Sequence, residues 1–186
     1  PVKNHKSSGP VAGKRGRFHT TQGAKTMMTV KEINHDLDIV ASIAGDALSG
    51  LTDQAGDPMV WHASEIAGDL ARAGRGTTTV AVALLHDVLE DSDWDAKRLY
   101  HELVTRGSSK LDQKAIVRNV IVLTRRQGEE TYAEYIERLK ASSDIATTVK
   151  ISDLRHHLEN KKDIADSLAK RYQKALSALT SPGATQ

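Results

Sequence analysis

The chain has 186 residues, enough for one domain with a core of several helices, and its lack of cysteine excludes disulfide frameworks, thiol nucleophiles, zinc fingers and iron–sulfur clusters. Its formal charge of +2 is unevenly spread: residues 1–27 hold six basic residues and no acidic one, which leaves the remainder at a formal −4. A mildly acidic body gives little reason to expect nucleic acid held by bulk electrostatics, and the longest apolar run, Val80 to Leu85, is far short of the roughly 20 residues that cross a bilayer. A soluble, cytoplasmic protein with no membrane partner is the expectation.

Residues 1–27 are basic and glycine-rich with few large apolar side chains, so they cannot bury enough surface to offset their ordering entropy. A native basic tail and translated upstream sequence ahead of Met27 and Met28 both fit that composition; a targeting peptide lacks its apolar face. The expected organisation is a tail over 1–27 and one folded body over 28–186. In the body, Ile33, Leu37, Val40, Ile43, Ala44 and Ala47 recur at three- and four-residue spacing, which predicts a first helix over about 33–48. Gly50 to Pro58 reads as a loop, and Val60 to Ala73 as a helix stopped by Gly74 and Gly76. Thr77 to Thr79 are expected to cap the most apolar segment, Val80 to Leu89, as a central buried helix. Further helices are expected at about 94–106, 110–124, 131–141, 143–159 and 163–180. No stretch alternates with period two, so the predicted fold is an all-α bundle of seven or eight helices.

The segment His86-Asp87-Val88-Leu89-Glu90-Asp91 places four ionisable side chains at the end of that apolar helix, which is costly without partners. On a continuous helix His86 and Glu90 form one row and Asp87 and Asp91 the next. A divalent cation would compensate the charge. Imidazole with carboxylate suits Mn, Fe or Zn, and a carboxylate beside the ion can orient or deprotonate water. The plain alternative is a helix end with solvated acids and a hydrogen-bonded histidine, with Asp91 capping the next helix near Trp94.

His62 follows the loop Gly56-Asp57-Pro58, and Asp153 lies in the run from Val149 to His156. Together with His86-Asp87 they spell H…HD…D. On the entry Gly56-Asp57-Pro58 to His62, the ALLHDxxED core from Ala83 to Asp91, and Lys150 to Asp153, the chain resembles the HD phosphohydrolase superfamily. Within it the likeness is to the hydrolase domain of RelA/SpoT alarmone enzymes and to small stand-alone members of the metazoan SpoT homolog type. Leu123-Thr124-Arg125-Arg126 and Tyr132-Ala133-Glu134-Tyr135 are also similar to the stand-alone members.

The resemblance implies His62, His86, Asp87 and Asp153 as ligands of one divalent cation, Mn foremost, with Glu90 and Asp91 handling the attacking water. It implies a nucleotide pyrophosphohydrolase releasing pyrophosphate from the 3′ position of (p)ppGpp or a related alarmone, with no synthetase segment in these residues. Arg125, Arg126, Tyr132, Tyr135, Lys150 and His157 are the candidates for holding the nucleotide, by bidentate phosphate contacts and by stacking or hydrogen bonding from tyrosine. The plain alternative for Arg125 and Arg126 is to complement a helix C-terminus. Two departures bear on the substrate. The loop Thr52-Asp53-Gln54-Ala55 lacks the basic residue that packs on guanine in alarmone hydrolases, and His157 replaces the family's asparagine. Another nucleotide substrate therefore stays open, as does a binding module without catalysis; a homo-oligomer is also compatible.

Overall fold

The computed structural model describes residues 30–52, 56–108, 110–159 and 165–181, with side chains from Asn34 onward. The basic segment 1–27, loop residues 53–55 and Asn160 lie outside them. Among the described residues the chain forms eight helices of nine residues or more, one further helical turn and no strand. They are α1 (Val30–Ala47), α2 (Met59–Arg72), α3 (Thr77–Leu85), the turn α4 (Val88–Asp91), α5 (Ala96–Thr105), α6 (Gln113–Leu123), α7 (Tyr132–Ser142), α8 (Asp144–Glu159) and α9 (Asp166–Thr180). The all-α expectation holds.

The core forms around α3, which packs against α1, α2, α6 and α8. Every residue from Val80 to His86 is buried, because a helix apolar all round has no face to give to water. Each fully buried valine or leucine there contributes about 1.5–3 kcal/mol. The chain reverses tightly into α3 through Gly74, whose φ of +70° allows the Arg75 N–H to reach the Leu70 carbonyl and the Gly74 N–H the Ala71 carbonyl. Such a tight stop places the start of α3 beside the end of α2.

Two local expectations are corrected. Thr77 to Thr79 do not cap α3; they are its first residues, and Gly76 stands at the N-cap without a side-chain bond. The helix expected over Val80 to Leu89 is interrupted at His86 and Asp87. His86 Nδ1–H donates to the Ala83 carbonyl at 2.8 Å, the acceptor that a continuing helix would offer to the Asp87 N–H. The chain restarts as α4, where the Glu90 and Asp91 N–H groups bond the Asp87 carbonyl. Two rows on one unbroken helix face therefore do not exist. Asp91 does not cap the next helix either, since Asp95 takes that place and accepts from the Arg98 N–H at 2.7 Å.

Candidate active site: a histidine–aspartate cluster on four helical segments

Asp153, on α8, is 2% exposed and organises the site. Its Oδ2 accepts from Lys150 Nζ at 2.7 Å, one turn earlier on the same helix. Its Oδ1 faces His62 Nε2 of α2 at 3.1 Å, His157 Nε2 at 3.1 Å and His86 Nε2 at 4.0 Å. His86 Nε2 lies 3.0 Å from Asp87 Oδ2, yet it is buried and makes no hydrogen bond of acceptable direction. His62, the adjacent pair His86-Asp87, and Asp153, from three distant parts of the sequence, are thus brought together as the resemblance implied.

Charge at the site is far from ordinary. Burial opposes a charge on His86, but the Asp87 and Asp153 carboxylates outweigh it and hold the imidazole up to about 9. Against the cost of burial, His86 keeps Asp87 below the usual carboxylate range, and Lys150 with the histidines keeps Asp153 well below it. Loss of water raises Glu90, and loss of water together with the Asp87 and Glu90 charges raises Asp91 to about 6. Glu90 and Asp91 stand at the exposed rim on α4, next to the buried ligand-type groups but with solvent access.

The residues present fit a divalent cation. His62, His86 and Asp87 bring ligand atoms within 4.8 Å of one another, as do His62, Asp153 and His157. The strongest indication is the His86 Nε2 atom, a buried ligand-type nitrogen with no hydrogen-bond partner, since such atoms are paired in native interiors unless an ion or water takes them.

The nucleotide candidates divide. Lys150 sits inside the cluster. Tyr132 is half-buried, its hydroxyl has no hydrogen-bond partner, and its ring faces the guanidinium of Arg171 at 4.9 Å and that of Arg125 at 5.9 Å. Arg125 donates one bond to the Glu130 carbonyl and keeps a buried Nε without a partner. Arg126 holds its loop through its backbone N–H, bonded to Glu130 Oε1 at 2.9 Å, and its side chain is exposed. Tyr135 belongs to the core: it is 1% exposed and its hydroxyl donates to the Leu123 carbonyl at 2.6 Å. The two rings lie on one face of α7, their centroids 5.8 Å apart, with Tyr135 the deeper of the two.

Sequence reasoning missed the support behind His62. His62 Nδ1 meets His156 Nδ1 at 3.2 Å, and His156 Nε2 meets Glu65 Oε2 at 2.9 Å, so a Glu65–His156 pair fixes which nitrogen of His62 faces Asp153. Arg171 was missed too, for it stands on α9 with no motif around it.

The fold is found elsewhere. The fold matches the solved structure described as "A metazoan ortholog of SpoT hydrolyzes ppGpp and plays a role in starvation responses", with a TM-score of 0.64 at 19% identity over 86% of this chain and 90% of that one. In sequence the chain is 28% identical over 105 residues to a probable GTP pyrophosphokinase of Mycobacterium leprae, covering 56% of this chain. It is 40% identical over 58 residues, 31% of this chain, to a chloroplastic probable GTP diphosphokinase of Oryza sativa subsp. japonica. The chain spans only 13% and 8% of the length of those two relatives. No family model matches. The chain shares the fold of the metazoan SpoT ortholog, and part of its sequence is similar to RelA/SpoT-type enzymes.

Proposed function

We propose that the protein is a metal-dependent nucleotide pyrophosphohydrolase that releases pyrophosphate from the 3′ position of (p)ppGpp or a related alarmone. The observation that carries this reading is the convergence of His62, His86, Asp87 and Asp153, with the buried His86 Nε2 lacking a hydrogen bond and Glu90 and Asp91 alongside. His62, His86, Asp87 and Asp153 would hold the cation. A divalent ion bound there supplies Lewis acidity, lowering the pKa of water and offsetting phosphate charge.

This chain's own groups do the rest. Glu90 or Asp91 accepts the proton of the attacking water, and a carboxyl raised above its usual range suits a general base near pH 7. Lys150 keeps Asp153 ionised and adds a positive charge where phosphate oxygens arrive. Tyr132 offers an unpaired hydroxyl, and Arg125 and Arg171 beside its ring offer guanidinium groups to the diphosphate.

A second substrate, an adenine alarmone or another phosphorylated nucleotide, is favoured by one observation. His157 stands where the resemblance calls for an asparagine amide, and its Nε2 is turned to Asp153. A panel of guanine and adenine nucleotides bearing 3′- or 5′-diphosphates, assayed with Mn, Fe or Zn while tracking which phosphate leaves, tests both. Release of pyrophosphate from a 3′-diphosphate is expected, with the two bases differing by less than about 100-fold in kcat/KM. Release of only 5′-phosphate would refute the 3′ assignment.

A further inference from the structure

The cluster around Asp153 contains one histidine that the RelA/SpoT pattern does not call for. His157 stands one turn beyond Asp153 on α8, its Nε2 3.1 Å from Asp153 Oδ1 and its ring centroid 4.7 Å from that of His62. Ligands of a single six-coordinate ion have a characteristic spacing: with donors about 2.1 Å from the ion, neighbouring donors are about 3.0 Å apart and opposite donors about 4.2 Å apart. The nitrogens facing Asp153 Oδ1 keep to those spacings, His62 and His157 at 3.1 Å and His86 at 4.0 Å, while His86 Nε2 and Asp87 Oδ2 are 3.0 Å apart. His62 is shared by both groups of three ligand-type residues. Its Nδ1 is engaged by His156, so Nε2 is the ligand nitrogen, and one lone pair serves one ion. The two groups meet at that nitrogen, so a cation bound to it stands within reach of both.

We infer that His157 is a fifth protein ligand of that cation, completing a set of three imidazoles and two carboxylates and leaving one position open. The inference rests on the metal-site reading above. It moves His157 from the nucleotide to the ion, and it predicts a preference: a six-coordinate, imidazole-rich set favours Fe over Mn, which oxygen ligands suit better, and over Zn, which usually takes four ligands. A lone open position also restricts what can reach the ion directly to one oxygen at a time.

The test is X-ray absorption of the Fe(II)-loaded protein together with Fe(II) and Mn affinities of wild type and His157→Asn. Three imidazoles are expected around Fe in wild type and two in the variant. Fe affinity should fall by more than about 100-fold, beyond the 10- to 100-fold typical of a group that only supports a ligand, and Mn affinity should fall less. Two imidazoles in wild type would overturn the fifth ligand and leave the four-residue site standing. No imidazole, or no Fe bound, would overturn the site reading and this inference with it. The wild-type spectrum decides the matter even if the variant does not fold.

Discussion

Two charged clusters, one at α7 and one at α8, follow opposite rules. Arg138 donates to both oxygens of Glu130, at 2.7 and 2.8 Å, and to the Val122 and Thr124 carbonyls at 3.1 Å. One cation meets one anion and two carbonyls at the end of α6, so charge and hydrogen bonds close on themselves. Around Asp153 the balance is left open: Asp87, Glu90 and Asp91 gather on one side, and His86 Nε2 is buried without a hydrogen bond. A closed cluster serves the fold, whereas an open one is arranged for something that binds.

Removing a member of each cluster separates the two roles. His86→Ala is expected to lose the bound metal and, with it, at least 10³-fold in turnover, a loss of about 4 kcal/mol in transition-state stabilisation. Elemental analysis checks the first and steady-state kinetics the second; equal metal content in variant and wild type would refute the site. Glu90→Gln should lower turnover by about 10²-fold or more with metal content and nucleotide affinity retained. If the metal is lost instead, Glu90 is a ligand and not a base. Arg138→Ala should do the reverse, lowering stability by about 1–3 kcal/mol in a denaturant titration with metal stoichiometry unchanged.

The clusters also respond to pH in separate windows. Arg138 holds Glu130 down from 4.5 to about 2, so its contribution to stability is present above 4.5 and is lost as pH falls through about 2. His86 is held up to about 9, so at neutral pH the ion-free site carries a protonated imidazole whose Nε2 proton a metal must displace. Metal uptake should therefore release a proton, and affinity should rise about tenfold per pH unit for each proton released, up to about pH 9. Calorimetry in buffers of different ionisation enthalpy measures that proton; uptake at pH 7 with none released would show that His86 is neutral in the ion-free site. The smallest effect is expected outside both clusters: a chain beginning at Met28 should keep its fold and turnover within about twofold, because the composition of 1–27 cannot add to the core. A large loss of turnover in a folded truncation would place the basic segment at the substrate.

What was legible in the sequence follows from how local each signal is. The central α3 could be read from composition alone, since Val80 to Leu85 has no polar face. His62, His86, Asp87 and Asp153 could be read because motifs of fixed order carry them. The interruption after Leu85 could not, as it depends on the His86 side chain taking a backbone acceptor, and helical periodicity does not record such competition. Nor could the Glu65–His156 support, which joins residues 91 positions apart with no shared motif. Tyr132 and Tyr135 looked equivalent by type and nearness, and only packing of α7 against its neighbours sends Tyr135 inward to the Leu123 carbonyl.

Anomalous diffraction from crystals soaked in Zn or Mn tests the metal centre most directly. A single peak within about 2.0–2.3 Å of His62 Nε2, His86 Nε2 and carboxylate oxygens of Asp87 and Asp153 is the predicted result. A peak elsewhere on the molecule, or His86 Nε2 left without a ligand in the soaked crystal, would contradict it.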